Sequence, residues 1–410
     1  MTVVPRLLRS DGDPMVLAAA VLHLRRTGGV LALAAPQEEA LLQQVLPRLW
    51  PPALAALEPA VVLGTGGSSG RRRWCVQPLD RLQESVEGCG QWLRGIGVDP
   101  ACCQLFNPLP LHHISGLMPL LRTASWGSEH RLLSPALMRE PARLRADAMP
   151  EADRPALLSL VPTQLQRLLA DADGRRWLEA FALIWVGGAA LPAALAEACR
   201  QHGLRLSPCY GSTETGAMVA ALAPEAFLAG VSGCGPALPH AQLRLGDDRA
   251  LEIRAASLAV GFLDMGGFEP LPLNQGWWRS GDAAQLTPMG MQWLGRLDGA
   301  ISSGGETVFP EQVREQLLTL AAAQGLRLAG LLLLPQLDAR WGERLVALVR
   351  LESSAPADAL VRLEAMARAL PPSQRPQRWL ICPDLHTTAA GKWDQARWRR
   401  WLQAQPQPPQ

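Results

Sequence analysis

The sequence predicts an α/β protein: a large N-terminal domain of layered α/β subdomains with a β-rich subdomain, followed by a small α+β C-terminal domain. Three observations carry this. Short apolar runs recur, each followed by a loop of Gly, Pro or Ser and then a helix-length stretch. From Gly233 to Leu297 the segments shorten and Gly/Pro turns multiply, the pattern of a β-rich subdomain. After Gly295-Arg296-Leu297-Asp298 a fresh alternation of strand and helix begins.

Taken in order, the first part, to about Pro59, alternates helix-like Leu/Ala/Arg patterns with prolines. Residues 60–63 read as a strand entering a Gly/Ser cluster, and the same grammar recurs at 105–109, 182–186 and 205–206, before loops containing His112-His113, Gly187-Gly188 and Cys209-Tyr210-Gly211. Helix-length stretches at 164–172 and 192–202 lie between them, so functional loops are expected at strand ends. Residues 241–245 and 251–255 are strand-like. The C-terminal part reads as a glycine loop, a helix from about Pro310, strands around 328–334 and 344–351, a helix near 357–370 and a strand at 379–382. The tail 403–410, rich in Pro and Gln, is expected to be disordered.

At 410 residues, 48% of them hydrophobic, the chain can bury a full core. Its 39 basic and 37 acidic side chains leave a formal charge of +2, so no strong field steers it to nucleic acid. The eight cysteines form no Cys-x-x-Cys pair, which points to reduced thiols in a cytoplasmic protein rather than a zinc site. Apolar runs are strand-sized, so no membrane insertion is expected. Every basic residue but one is Arg, the exception being Lys392, and Tyr210 is the one tyrosine. A guanidinium cannot reproduce a compact ammonium, and no other ring offers a phenol hydroxyl. Both positions are therefore the first places to look for chemistry.

Both fall in candidate motifs. In Gly64-Thr65-Gly66-Gly67-Ser68-Ser69-Gly70-Arg71-Arg72-Arg73 the glycines let backbone N–H groups approach phosphate oxygens, while hydroxyls and arginines add donors and charge. A flexible turn with a basic end fits that segment equally well. In Tyr210-Gly211-Ser212-Thr213-Glu214 a ring can stack on adenine, hydroxyls can reach phosphate and a carboxylate can hold magnesium, although a capped helix N-terminus would look the same. Ser280-Gly281-Asp282 and Arg296 with Asp298 suit a ribose diol backed by an arginine, or a surface ion pair. Ser302-Ser303-Gly304-Gly305-Glu306 is a second glycine loop, and Gly391-Lys392 sets the lysine beside a flexible residue.

In this order the segments resemble the adenylate-forming superfamily, from about Val61 to Lys392, and the chain is similar within it to the o-succinylbenzoate:CoA ligases of menaquinone and phylloquinone synthesis. The stretch Pro108-Leu109-Pro110-Leu111-His112-His113-Ile114-Ser115-Gly116 and the segment Val161-Pro162-Thr163-Gln164-Leu165 carry the narrower likeness. The resemblance implies the adenylate-forming enzyme fold, with an ATP- and acid-binding domain over 1–297, a mobile domain over 298–402 and a tail over 403–410. It implies that o-succinylbenzoate is activated by ATP as an acyl-adenylate and passed to CoA, with AMP and pyrophosphate released.

The implied catalytic residues are Lys392, Thr213, Glu214 and His113, with Mg2+ on Glu214. The implied ATP site comprises Thr65, Gly66, Gly67, Ser68, Ser69, Gly70, Arg73, Gly188, Tyr210, Gly211, Asp282 and Arg296. His113, Ser115, Gly116, Thr163 and Gly187 would line the acid pocket, Asp298 would be the hinge, and Gly304, Gly305 and Glu306 would serve the CoA step. A second carboxylate on the acid calls for a basic partner, for which Arg122 and Arg167 are the candidates. Another acyl- or aryl-CoA ligase, an adenylation enzyme loading a carrier protein, or a non-catalytic adenylate-binding homologue would carry the same motifs.

The sequence also departs from the family pattern. Arg71-Arg72-Arg73 stands where relatives have Pro-Lys, Gly299 replaces the second acid after Arg296, and Gln395 stands where an arginine often follows Gly-Lys. The region before Thr65 reads as a shortened N-terminal lobe, which bears on the homodimer considered for the family.

Overall fold

The computed structural model describes residues 6–9, 13–35, 38–49, 57–65, 73–338, 340–387 and 393–405. They fold into four sheets with helices between them. The first sheet has the order β1 (Arg6–Arg9), β2 (Val30–Ala34), β3 (Ala60–Gly64), β4 (Trp74–Pro78), β13 (Gly261–Asp264), β14 (Gly267–Pro270). Its β1, β2 and β3 run parallel and the remainder antiparallel. Strands β13 and β14 come from the stretch expected to form a separate β-rich subdomain. They join this sheet instead, because Phe262 and Leu263 are buried there against β4.

The sheet is covered on both faces, which is why its strands read as unbroken apolar runs. Leu31, Leu33, Val61 and Leu63 pack into one cluster with the helices Pro14–Thr27, Leu79–Gly95 and Ile114–Trp126. Their alternates Val30, Ala32, Ala34, Ala60 and Val62 pack on the other face with Leu42, Leu46, Trp74 and Val76. Period-two alternation thus sends each side chain to one of two cores.

The second sheet has the order β10 (Ala217–Ala221), β9 (Leu206–Ser212), β8 (Leu183–Val186), β7 (Ala156–Leu160), β5 (Gln104–Asn107), β6 (Glu129–Leu132). It is parallel apart from the β9–β10 hairpin. The helix Leu79–Gly95 packs on it through Cys89 and Leu93 against Leu105, Leu157, Leu183 and Trp185. The stretch expected as one helix at 164–172 is two, Pro162–Leu169 and Ala172–Leu178, because Asp171 caps a new helix by accepting from the N–H groups of Asp173 and Gly174.

In the third sheet β11 (Ala241–Leu245), β12 (Ala250–Ala255), β16 (Trp277–Thr287) and β15 (Leu273–Asn274) lie in that order, with β17 (Gly290–Arg296) pairing β16. The fourth has the order β19 (Glu306–Val308), β18 (Ile301–Ser303), β21 (Gly342–Leu351), β20 (Leu328–Asp338), with β22 (Arg378–Ile381) parallel to β21. Its two faces again divide by alternation. Leu331, Leu333, Leu345, Ala347 and Val349 meet the helices Pro310–Ala323 and Ala359–Ala367, whereas Leu332, Leu334, Val346 and Leu348 meet Trp398 and Leu402 of the helix Gln395–Gln403.

The chain divides into two compact units, 1–190 with 199–280 and 285–292, and 191–198 with 281–284 and 293–410. Gln403, placed in the tail by the sequence reading, ends a helix, and residues 406–410 of that tail lie outside the described residues. No helix among the described residues is long and apolar enough to cross a membrane. All eight cysteines are described and none is in a disulfide.

Candidate functional site

Because β5, β7, β8 and β9 are parallel, their C-terminal ends share one edge of the second sheet. The segments at that edge carry His113, Thr163, Gly187 with Gly188, and Tyr210 near the end of β9, at the position where open α/β sheets bind ligands.

The loop after β5 is held by Asn107, which is buried. Its amide donates to the Gly116 carbonyl at 2.8 Å, and its Oδ1 accepts from the Leu109 N–H. That orientation makes Nδ2 the donor to His130 Nε2 at 3.1 Å, so His130 carries its proton on Nδ1. A Cβ at Gly116 would stand 2.2 Å from the Pro110 oxygen, so this glycine is what lets the helix meet the loop. His113 is the N-cap residue of that helix, and its exposed ring lies 4.3 Å from the His112 ring. Burial, and then His113, lower His112 to about 4, and its Nδ1 has no hydrogen-bond partner among the described residues. Ser115 and Thr163 are exposed on the first turns of their helices.

Strand β9 runs further than the sequence reading placed it, through Tyr210, Gly211 and Ser212, and turns directly into β10. The motif therefore sits on a hairpin, not at a capped helix N-terminus. Thr215 closes the turn, its hydroxyl accepting from the Ser212 N–H at 2.8 Å and donating to the Ala217 oxygen at 2.6 Å. Gly211 is required because a Cβ there would stand 1.9 Å from the Ala217 oxygen. Neighbouring elements pin the turn through its carbonyls: Gln77 donates to Thr213 at 2.5 Å, Ser85 to Gly216 at 2.8 Å, and the Ala259 N–H to Glu214 at 2.7 Å. All the backbone restraint leaves the Glu214 carboxylate half-buried, with no hydrogen-bond donor among the described residues, and the Ser212 hydroxyl buried without a partner.

Thr65 follows β3, and its N–H and hydroxyl both donate to the Arg73 carbonyl, at 3.1 and 3.2 Å. The Arg73 guanidinium lies over the Phe262 ring at 4.3 Å. Arg73 and Glu214 both act on the Cys75 thiol, whose pKa burial raises first, Glu214 raises further and Arg73 lowers. The structure thus brings Thr65 and Arg73 together, while Gly66, Gly67, Ser68, Ser69 and Gly70 lie outside the described residues. Among the described residues no group of three or more His, Cys, Asp or Glu could hold a metal by itself. One uncommitted carboxylate beside hydroxyls does suit magnesium, which commonly takes one or two carboxylates and completes its shell with phosphate and water.

In the second unit Asp282 accepts from the Trp293 indole N–H at 3.1 Å and has Arg296 at 3.7 Å. Arg296 in turn grips Asp298 with two bonds of 3.1 Å. Gly281, at φ +76°, lets the strand pass the guanidinium, whose Nη2 would be 3.3 Å from a Cβ. The three residues expected at the ribose and hinge are therefore together. Gly304 has φ +60° and faces the Trp341 ring, 2.5 Å from where a Cβ would lie. Gly305 has φ +82° with open space around it, and Glu306 accepts from the Ser373 hydroxyl at 2.5 Å. Gly391 and Lys392 lie outside the described residues.

Behind the sheet edge the two basic candidates separate. Arg167 is exposed and donates to the Met138 carbonyl. Arg122 is only 3% exposed, lies over the Trp185 ring at 5.2 Å, and its Nε has no hydrogen-bond partner among the described residues. It forms no ion pair among the described residues. Cys209, whose Sγ packs under Gly187, and Cys89 stay protonated because burial raises them despite Arg122. His240 is lowered to about 4 by burial first and by Arg122 second, so it stays neutral. Sequence reasoning missed His240 and Trp185. The readable sign of Arg122 was an arginine ending the run Leu117-Met118-Pro119-Leu120-Leu121.

Comparison with known proteins fits this arrangement. The chain is 28% identical over 294 residues to the 2-succinylbenzoate–CoA ligase of Geobacillus sp. (strain WCH70), a match covering 69% of this chain and 57% of that one. It is 26% identical over 347 residues to the ligase of the same name from Geobacillus kaustophilus, covering 82% and 68%. The chain thus spans little more than half the length of the first of these relatives. Among solved structures, Bacillus subtilis o-succinylbenzoate CoA synthetase in complex with the acyl-adenylate intermediate OSB-AMP aligns with TM-score 0.74 at 20% identity, covering 96% of this chain and 87% of that one. Escherichia coli MenE, bound to a phenylether-linked analogue of OSB-AMS, aligns with TM-score 0.70 at 23% identity, covering 98% and 88%. These likenesses show the fold. The sequence profile of the family described as AMP-binding enzyme matches residues 9–258, which contain both the loop after β3 and the β9–β10 hairpin, and the chain belongs to that family.

Proposed function

We propose that the chain is an ATP-dependent ligase converting o-succinylbenzoate to o-succinylbenzoyl-CoA through an acyl-adenylate, with AMP and pyrophosphate released. The observation that carries the choice of acid is Arg122. An arginine cannot shed its proton, and a buried charge without a counterion costs several kcal/mol. The thiols and the imidazole that it acts on are neutral, and no described carboxylate pairs with it. A substrate carboxylate remote from the reacting one would supply it, and o-succinylbenzoate has two carboxylates. The names of the curated relatives support the same acid.

In the first half-reaction the acid's free carboxylate attacks the α-phosphate of ATP and pyrophosphate leaves. The Tyr210 ring would pack on adenine, with Gly188 and Gly211 giving the backbone clearance to approach it, and Asp282, backed by Arg296, would accept the ribose hydroxyls. Gly66, Gly67, Ser68, Ser69 and Gly70 would donate to the phosphates. Thr65, Thr213, Arg73 and Lys392 would stabilise the charge that develops on the transferring phosphoryl group and the leaving pyrophosphate. Magnesium held by Glu214 would neutralise phosphate charge. His113, Ser115, Gly116, Thr163 and Gly187 would shape the acid pocket, with His113 nearest the reacting carboxylate.

In the second half-reaction the domain 298–402 would rotate about Asp298, withdraw Lys392 and bring Gly304, Gly305 and Glu306 to the CoA thiol. Eight unpaired cysteines support a reducing compartment such as the cytoplasm. ATP–pyrophosphate exchange tests the reading with a panel of acids. Exchange confined to o-succinylbenzoate supports it, exchange with a different acid reassigns the substrate, and no exchange with any acid overturns catalysis.

A further inference from the structure

We propose that His240 is a specificity-determining residue, forming with Arg122 a two-part receptor for the carboxylate of the acid that does not react. This rests on the dicarboxylate reading of Arg122 and extends it to a residue outside the family's motifs. His240 immediately precedes β11, and both of its ring nitrogens are buried without a hydrogen-bond partner among the described residues. A neutral imidazole offers one N–H donor and one acceptor, and leaving both unmet away from water is costly.

The ring is held there by a specific accommodation. It lies against Gly88, inside the helix Leu79–Gly95, where a Cβ would stand 2.1 Å from Nδ1 and 2.7 Å from Cγ. Glycine weakens a helix interior, so its presence beneath the ring makes room for an imidazole that has no bonds of its own. The charge of Arg122 acts on the same ring and, after burial, helps keep it neutral. Cys89, the residue after Gly88, packs in one buried cluster with Trp185, the ring beneath the Arg122 guanidinium, so a guanidinium and an imidazole without described partners border the same cluster. A single carboxylate satisfies both, one oxygen accepting from the guanidinium and the other from the imidazole N–H. The region adjoins the acid site, since Arg122 lies over Trp185 and acts on Cys209, which packs under Gly187.

The test compares the full-length protein with His240→Ala and His240→Asn, both smaller than histidine and so compatible with Gly88. Acid binding is read by calorimetry and by ATP–pyrophosphate exchange, with o-succinylbenzoate and with its analogue lacking the non-reacting carboxylate. His240→Ala is expected to weaken the dicarboxylate about 10- to 100-fold, the loss for one hydrogen bond to a charged group. The monocarboxylate and the KM for ATP should not change, and His240→Asn, which keeps an N–H donor, should recover most of the loss. Equal weakening of both acids, or of neither, overturns the proposal, as does a wild-type protein that shows no preference for the dicarboxylate. Wild-type protein that binds the dicarboxylate without exchange refutes the ligase reading alone, and the calorimetric ratio still decides His240.

Discussion

Replacing Arg122 with methionine should move activity and stability in opposite directions. The side chain is 3% exposed, its Nε has no hydrogen-bond partner among the described residues, and its guanidinium lies over the Trp185 ring at 5.2 Å. Without ligand, the arginine is a buried charge that no described carboxylate offsets. Substituting an apolar chain of similar length should therefore raise the stability of the ligand-free protein by about 1–4 kcal/mol. With ligand bound, the same substitution strands the substrate's second carboxylate in a buried site, at a cost of about 2–5 kcal/mol. At about 1.4 kcal/mol per tenfold, kcat/KM for o-succinylbenzoate should fall by about 30-fold to several thousand-fold. The KM for ATP should hold, because the groups that the Arg122 guanidinium lies over or acts on, Trp185, Cys89, Cys209 and His240, are not among the residues assigned to ATP. Thermal melts of the ligand-free protein and exchange kinetics with each substrate varied check both signs. An unchanged KM for o-succinylbenzoate, or a lowered melting temperature with equal loss for ATP and acid, would refute the reasoning.

Lys392→Ala should abolish pyrophosphate exchange yet largely spare thioester formation from preformed acyl-adenylate and CoA; equal loss of both steps would contradict a role confined to adenylation. Gly116→Ala places a methyl 2.2 Å from the Pro110 oxygen and 2.5 Å from that of Leu109, so it should destabilise by about 1–3 kcal/mol, read from a urea melt at pH 7. A midpoint within error of wild type would show that the loop yields freely. His112, His130 and His240 are each lowered to about 4, with burial the first cause. The unfolded chain, with histidines near 6.5, therefore binds more protons than the folded one between about pH 4 and 6.5. Stability should be fully present above that window and fall as pH drops through it. His130→Gln should flatten the slope, because protonation at Nε2 would end the bond from Asn107; a slope unchanged in the variant would remove His130 from the explanation.

Much of this protein was legible in its sequence. The apolar run Ala60–Gly64 reads as a strand, and the order of the glycine loop, the Tyr210 motif, Asp282, Arg296 and Gly391-Lys392 pointed to the family, whereas the strands Arg6–Arg9 and Val30–Ala34 lay hidden in a stretch that reads as helix-like. Local sequence carries such information because strand period, turn glycines and nucleotide-loop spacing depend on neighbours along the chain. The boundaries of β9 were less legible, since Tyr210 to Ser212 extend as a strand only because Ala217–Ala221 folds back to pair with them.

What tertiary structure alone decided is which polar groups lack partners. Arg122 and Arg167 looked equivalent as sequence, yet Arg167 points to a backbone carbonyl at the surface and Arg122 is buried with no counterion among the described residues. His240 carried no signal at all, being 118 positions from Arg122 and 152 from Gly88 along the chain. Sequence spacing fixes how a residue sits in its own strand or helix. Whether a buried charge finds a partner depends on side chains brought from distant segments, and that sum is made only when the chain has folded.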